Sequence, residues 1–390
     1  MSEPERAHVI RGRRCSSVLD DDDLLWEILL RLSPQPSSLP RASAVCKQWR
    51  RLTTDPVFLR RFCEHHREPP LLGVFGCDKE NIVFAPSLGP PDRIPSVHFD
   101  LGPRRSGRIA KLVNPVLGCH HGRVLIGDYI RKQVIVCDPI TGEQCRVAVP
   151  LEFRRDHFCG AVLCAASDQG HVHGACHSSP FKVILVSTWC YDDGRTRACV
   201  YSSETGAWGN IISTAFPRFI WDAGWSGLLV GNALYWLCGN ADCILEFDLK
   251  KLSLAIITAP PIPMESWSCH IIQAEDDAIG FAALSYPRFQ MWQRNSNGHD
   301  VPTWVLWKNI EIHNILELPH HIDRRSTGIY GYSQDTDEIF ILVEPNNVYL
   351  VQLRSMQSKR LHGIDCIMKY HAFTSFCTPG VRAGKRTTPK

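Results

Sequence analysis

The sequence predicts an α+β multidomain chain, in which a short three-helix unit precedes a larger all-β domain of propeller-like build. Three observations predict it. Between positions 18 and 64, apolar residues recur at three- and four-residue steps. Beyond Pro69 that helical period gives way to short runs of Val, Ile, Leu and aromatic residues, separated by Gly, Pro, Asp and Asn. Within this second part a strand-and-turn unit repeats every 40 to 50 residues or so, the length of one propeller blade.

The first helix follows the acidic run Asp20 to Asp23 and carries Leu24, Leu25, Ile28, Leu29 and Leu32 on one stripe. Aspartates suit its start, where free backbone N–H groups and the helix dipole favour negative charge. Ser33, Pro34 and Pro36 end it, because proline cannot continue the hydrogen-bond ladder. A second helix is expected over Leu39 to Leu52, with Ala42, Val45, Trp49 and Leu52 on one side. Asp55 and Pro56 open a third, short helix with Phe58, Leu59 and Phe62. Three helices this short bury little surface among themselves. Their apolar stripes exceed what internal packing requires, so a partner is expected to cover the remainder.

The β domain is expected over 69–376, flanked by disordered basic tails at 1–17 and 377–390. Its repeat is an apolar strand running into a turn: Val134 to Gly142, Cys199 to Gly206 and Leu245 to Lys251, with weaker copies at His98 to Gly102 and Tyr349 to Arg354. In these turns an Asp side chain at the first position caps backbone N–H groups, Pro139 sets φ, and Gly142 and Gly206 permit a left-handed residue. The turn positions 100, 138, 202, 248 and 352 are 38, 64, 46 and 104 residues apart, the last interval spanning two units with Trp304 to Trp307 near its middle. A second unit, Gly118 to Gly127 and Gly227 to Trp236, also forms a hairpin. About six blades are expected. The final strand, near Cys366 to Phe376, closes the ring against Leu71 to Phe75. A β-sandwich is the alternative architecture.

The segment Leu19 to Phe62 resembles an F-box. The resemblance rests on Asp23-Leu-Leu-Trp-Glu-Ile-Leu-Leu-Arg-Leu32, Ser38-Leu-Pro-Arg41, Val45-Cys-Lys-Gln-Trp-Arg-Arg-Leu52 and Pro56-Val-Phe-Leu-Arg-Arg61. One departure is Asp20, where the family pattern has proline, in a segment that in the family touches a Skp-type adaptor. The β domain is similar to the F-box-associated and kelch-like domains that follow F-boxes in plant proteins. The resemblance implies the substrate receptor of an SCF-type (Skp–cullin–F-box) ubiquitin ligase. Its adaptor-binding residues are then Leu19, Leu24, Leu25, Ile28, Leu29, Leu32, Leu39, Val45, Cys46, Trp49 and Leu52. Its partners are a Skp-type adaptor, through it a cullin, and an unknown target protein. A propeller acting as a binding module or scaffold outside a ligase is the alternative.

No catalytic constellation is found. The chain has no P-loop, no dinucleotide-binding glycine fingerprint and no His-Glu-x-x-His, and Gly224-Trp225-Ser226-Gly227 misses a nucleophile elbow by one position. Cys159, Cys164, His171, His173, Cys176 and His177 offer zinc-ligand chemistry, but their spacing is not that of known fingers and no Cys-x-x-Cys occurs. They are read as incidental residues of a mobile inter-strand loop, so no metal and no cofactor is assigned. The aromatics Trp189, Tyr191, Trp221, Trp225, Trp292, Trp304 and Trp307 are read mostly as blade core. Target recognition is expected of loops such as Ser187 to Arg195, Tyr286 to Asp300 and Pro319 to Thr327.

Composition narrows the partners. A net charge of +3 over 390 residues gives no footprint for a nucleic acid. No apolar run is long enough to span a bilayer, and residues 1–14 lack the apolar centre of a signal peptide. The chain is therefore read as cytoplasmic and/or nuclear, and its 17 cysteines as mostly reduced small hydrophobes.

Overall fold

The computed structural model describes residues 21–378, apart from 79–80, 100, 102–114, 155–156, 167–170, 178, 190–193, 216–225, 239–240, 263–267, 296–301, 317, 319–326, 344–346 and 363–368. Both expected tails fall outside the described residues, save Cys377 and Thr378, and so do Leu19 and Asp20.

The N-terminal unit has four helices, α1 (Asp22–Leu30), α2 (Ser38–Ser43), α3 (Lys47–Thr53) and α4 (Pro56–His66). Two starts follow the expected capping chemistry. Asp21 accepts the N–H groups of Asp23 and Leu24 at 2.9 and 3.3 Å, and Asp55 accepts those of Val57 and Phe58 at 2.7 and 3.2 Å. The single helix expected over Leu39 to Leu52 is in fact α2 and α3. Cys46 between them is extended, with φ −160° and ψ 174°, and its carbonyl accepts the Arg50 N–H to begin the next helix. The break has a packing cause. It lets Ala42 and Leu52 both join Leu25, Leu29, Phe58 and Phe62 in one core, while Val45 turns outward.

The β domain is a ring of six sheets. Strands β1 (Leu71–Asp78) and β2 (Asn81–Pro86) begin the first blade. The second holds β3 (Val116–His120), β4 (Arg123–Asp128), β5 (Gln133–Cys137) and β6 (Gln144–Ala148). The third holds β7 (His157–Cys164), β8 (Phe181–Trp189), β9 (Arg195–Ser202), β10 (Ala207–Trp208) and β11 (Ile212–Ala215), the last two both pairing with β9. The fourth is β12 (Leu228–Val230), β13 (Ala233–Cys238), β14 (Cys243–Asp248) and β15 (Ser253–Thr258). The fifth is β16 (Ser268–Gln273), β17 (Ile279–Ser285), β18 (Arg288–Asn295) and β19 (Thr303–Glu311). The sixth is β20 (Thr327–Ser333), β21 (Glu338–Val343), β22 (Asn347–Gln352) and β23 (Ser358–Leu361). Finally β24 (His371–Thr374) returns to β1 with the register Leu71 to Thr374 and Phe75 to His371, which is the expected closure.

Each pair of neighbouring blades encloses its own apolar core. Leu125 and Phe158 lie between the second and third blades, Trp236 and Ile184 between the third and fourth, and Phe289 and Ile341 between the fifth and sixth. Phe340 with Val74 and Phe75 with Val116 seal the first blade on both sides. A blade therefore packs each face on a different neighbour, which rules out the sandwich, where two sheets face one another.

The recurring turns mark one place in the blade. Asp138, Ser202, Asp248 and Gln352 stand where the third strand turns into the fourth. Asp138 Oδ1 accepts the Ile140 and Thr141 N–H groups, and Asp248 Oδ1 accepts those of Lys250 and Lys251. The long interval before 352 spans the fifth blade, whose third and fourth strands end at Asn295 and begin at Thr303, with 296–301 between them outside the described residues. The weak copy at His98 to Gly102 is not a strand: Ser96–Phe99 is a short 3-10 turn, and Asp100 lies outside the described residues.

Candidate functional sites

The helical unit divides the expected adaptor residues by exposure. Leu25 and Leu29 are fully buried and Leu52 nearly so, inside the unit's own core. They hold the helices together and are not presented to a partner. Leu32, Leu39 and Trp49 are half-buried against the same core. Exposed instead are Leu24 and Ile28 on α1, Val45 and Cys46 in the turn after α2, and Val57 and Leu59 on α4. Leu24 and Ile28 are four residues apart and share a helix face. Gln48 donates to Asp22 at 2.9 Å, and Arg51 pairs with the same carboxylate, so α3 lies along the first turn of α1. Leu19 lies outside the described residues.

Strand order decides which end of the ring this unit occupies. Residues 67–70 lead from α4 into β1 at the end of the ring where β24 finishes. There Ser37 donates its N–H to Asp92 at 2.8 Å, and Phe376 packs on the helical core. The turns from first to second and third to fourth strand lie at that end. The connections from second to third strand, and from blade to blade, run at the opposite end. Of the expected recognition loops, Ser187 to Arg195 and Pro319 to Thr327 join strands at that opposite end, and 190–193 and 319–326 lie outside the described residues. Tyr286 to Asp300 is not one loop, because Arg288–Asn295 forms β18. Trp292 and Trp304 pack in the core between the fourth and fifth blades and Trp307 between the fifth and sixth, while Tyr191, Trp221 and Trp225 are outside the described residues.

A cavity of about 260 Å³ lies on the ring axis, lined by His120, Ser226, His270, Tyr332, Asp335 and Thr374 among others. Polar side chains join blades across it. Ser226 Oγ and His371 Nδ1 are 2.8 Å apart, linking the fourth blade to the closing strand on the far side of the axis. Gln334 donates to Gln273 Oε1 at 2.9 Å and to the Leu229 carbonyl, and Thr374 pairs with Asp335. Burial, with Lys369, His120 and His270 nearby, pushes the His371 pKa down to about 3, so its ring is neutral. Ser226, part of the near-miss elbow, thus serves as a cross-ring tie.

The six candidate zinc ligands separate into a gathered four and a dispersed two. Cys159 is fully buried in the core between the third and fourth blades. His177 pairs with Asp138 at 2.8 Å. Burial opposes charge on His177, but Asp138 and the Cys377 thiol outweigh it and raise its pKa to about 9. The other four, Cys164, His171, His173 and Cys176, place their ligand atoms within 4.8 Å of one another. The Cys176 thiol and His173 hydrogen-bond to Cys164 and hold its thiol pKa far down. The fold thus gathers four residues that the sequence reading treated as incidental to a loop. Linear spacing hid the cluster because Cys164 ends β7 while the other three return to it along the connection to β8.

Comparison with known proteins agrees with both halves. Residues 22–65 match the F-box-like family, and residues 115–366 match the family described as F-box protein AT5G49610-like, beta-propeller. An Arabidopsis thaliana protein named F-box protein At3g23970 is 23% identical over 284 residues, covering 65% of this chain and 60% of its own length. Among solved structures, a hypothetical selenium-binding protein from Sulfolobus tokodaii superimposes with a TM-score of 0.43 at 9% identity, covering 77% of this chain and 75% of its own. The Dos1 propeller gives 0.35 at 11% identity, covering 63% and 59%. With four short helices, a closed six-bladed ring and a family match over most of its length, the chain belongs to the F-box protein AT5G49610-like β-propeller family and carries an F-box-like region at its N-terminal end.

Proposed function

We propose that this chain is the substrate-recognition subunit of an SCF-type ubiquitin ligase. The observation that carries the reading is the F-box-like region, whose core is filled by Leu25, Leu29, Leu52 and Phe58 while Leu24, Ile28 and Val45 stay exposed. Leu24 and Ile28 lie one turn apart on the same face of α1, and adjoining exposed apolar side chains of that kind suit a partner surface. A Skp-type adaptor covers that set, and a cullin joins through the adaptor. The opposite end of the ring, clear of the helices, holds the target protein. The chain contributes proximity and orientation, and the covalent chemistry belongs to other subunits. Its work is then in the cytoplasm or the nucleus, which imaging of the tagged full chain tests.

The direct test is co-purification of the full chain with a plant Skp-type adaptor. Wild type should be captured at one to one. Leu24→Asp with Ile28→Asp should abolish capture while circular dichroism stays unchanged, because both side chains lie outside the core. Covering either residue fully is worth about 1.5–3 kcal/mol, and since each is already half covered, Ile28→Ala should weaken binding by about 1 kcal/mol, near fivefold. Folded wild-type chain that fails to capture the adaptor overturns the reading.

A further inference from the structure

We propose that Cys164, His171, His173 and Cys176 form a structural zinc site that fastens the β7–β8 connection to the junction between the ring and the helical unit. The spacing of the donor atoms suits a four-ligand site. His171 Nε2 lies 3.3 Å from Cys164 Sγ and 3.2 Å from Cys176 Sγ, and His173 Nδ1 lies 3.5 Å from Cys176 Sγ. Zinc bonds of about 2.3 Å to sulfur and 2.0–2.1 Å to nitrogen put the two donors about 3.5 Å apart across a tetrahedral angle. Two thiolates with two imidazoles are a donor set that suits zinc over harder cations. Four protein ligands fill the coordination sphere, so the site is structural and leaves no position for a reacting water.

The surroundings fit a metal site. The Ala166 N–H points at Cys164 Sγ at 3.5 Å, the Arg123 guanidinium donates to the Cys176 carbonyl, and the His121 ring stacks on His173 at 3.6 Å. Such contacts orient ligands and offset thiolate charge. Cys176 is buried, whereas His173 is exposed and gives an ion its way in.

The site also has a structural task. The turns at 121–122, 231–232 and 334–337 are short, but sixteen residues, 165–180, join β7 to β8 at the same end of the ring, with 167–170 and 178 outside the described residues. A connection of that length needs something to hold it. Gly174, between the ligands His173 and Cys176, has φ +98° and sits so close to Pro69 that a Cβ would collide with its ring. Its carbonyl accepts the Phe376 N–H and the Ser375 hydroxyl, each at 3.1 Å. Phe376 packs on the helical core. Zinc bound to the residues on either side of Gly174 fixes this seat, and with it the angle of the helical unit on the ring.

The test is the metal content of the full chain purified under reducing conditions, measured by mass spectrometry. One zinc per chain is expected. Cys164→Ser with Cys176→Ser should lose it, and His171→Cys, which keeps four zinc-competent ligands, should retain it. Cobalt should give the visible bands of a tetrahedral ion with thiolate charge transfer, and zinc should raise the Tm of chelator-treated protein with concentration. The proposal is overturned by folded wild type that carries no zinc and takes up neither zinc nor cobalt. A double-serine variant that keeps full zinc, or a Cys164–Cys176 disulfide that persists in reductant, overturns it equally.

Discussion

The two turn aspartates show how one residue type acquires different weight from its surroundings. Asp138 and Asp248 occupy equivalent turns and cap two N–H groups each. Asp138 is also buried and bound to His177, while Asp248 is half-buried and pairs with the exposed Lys251. Removing a buried, charge-assisted partner leaves its donors unpaired, at a cost of about 2–4 kcal/mol. Asp138→Ala should therefore lower the urea midpoint markedly and Asp248→Ala much less. Equal losses would mean that the turn, not the His177 contact, sets the value of the residue. The same contrast separates Leu24 from Leu25. They are adjacent in sequence, yet one lies outside the helical core and the other is fully inside it. Leu25→Asp or Leu29→Asp should unfold the helical unit, and neither can report on docking.

At the scale of the element, ring closure rests on β24, four residues that supply the third strand of the first blade. Phe373 anchors it against Phe75, Phe84 and Phe99, with ring centroids 5.3 to 6.4 Å apart. Gly331 lets the Tyr370 backbone lie against β20, where a Cβ would overlap the Tyr370 carbonyl. Phe373→Ala should cost about 3–5 kcal/mol, since a fully buried aromatic leaves a cavity between blades. Limited proteolysis should then cut the chain ahead of β24. Faster cleavage elsewhere in the ring, with β24 still protected, would show that closure does not depend on this strand.

For the molecule as a whole, the polar axis makes stability depend on pH. His371 is neutral in the folded state, its pKa near 3, whereas an unfolded histidine titrates near 6.5. Between those values the unfolded chain binds the extra proton, so stability falls as pH drops below about 6.5, with a slope approaching about 1.4 kcal/mol per pH unit for this residue. Urea midpoints at pH 7.5 and 5.5 should show the loss, and His371→Gln should remove part of the slope. An unchanged slope in that variant would assign the acid sensitivity to other groups. Across the ring the Ser226–His371, Gln334–Gln273 and Thr374–Asp335 pairs join different blades, so loss at one should loosen several.

What the sequence determined by itself is what a few neighbouring residues decide. Asp21 and Asp55 start their helices because a side-chain carboxylate reaches N–H groups two and three residues away. Asp138, Ser202 and Asp248 mark one hairpin in successive blades because a tight turn needs a local cap. The repeat of those turns announced a ring, and the apolar runs at Leu71 and Phe373 announced its closure. Tertiary structure decided what depends on which surface meets which. A stripe containing Leu24, Leu25, Ile28 and Leu29 is wider than the core it faces, so only packing against Phe58 and Leu52 divides it into a buried and an exposed set. The split between α2 and α3 follows from the same competition for that core. Cys164 and Cys176 meet because the connection between β7 and β8 folds back on the end of β7, and no local spacing rule encodes that return.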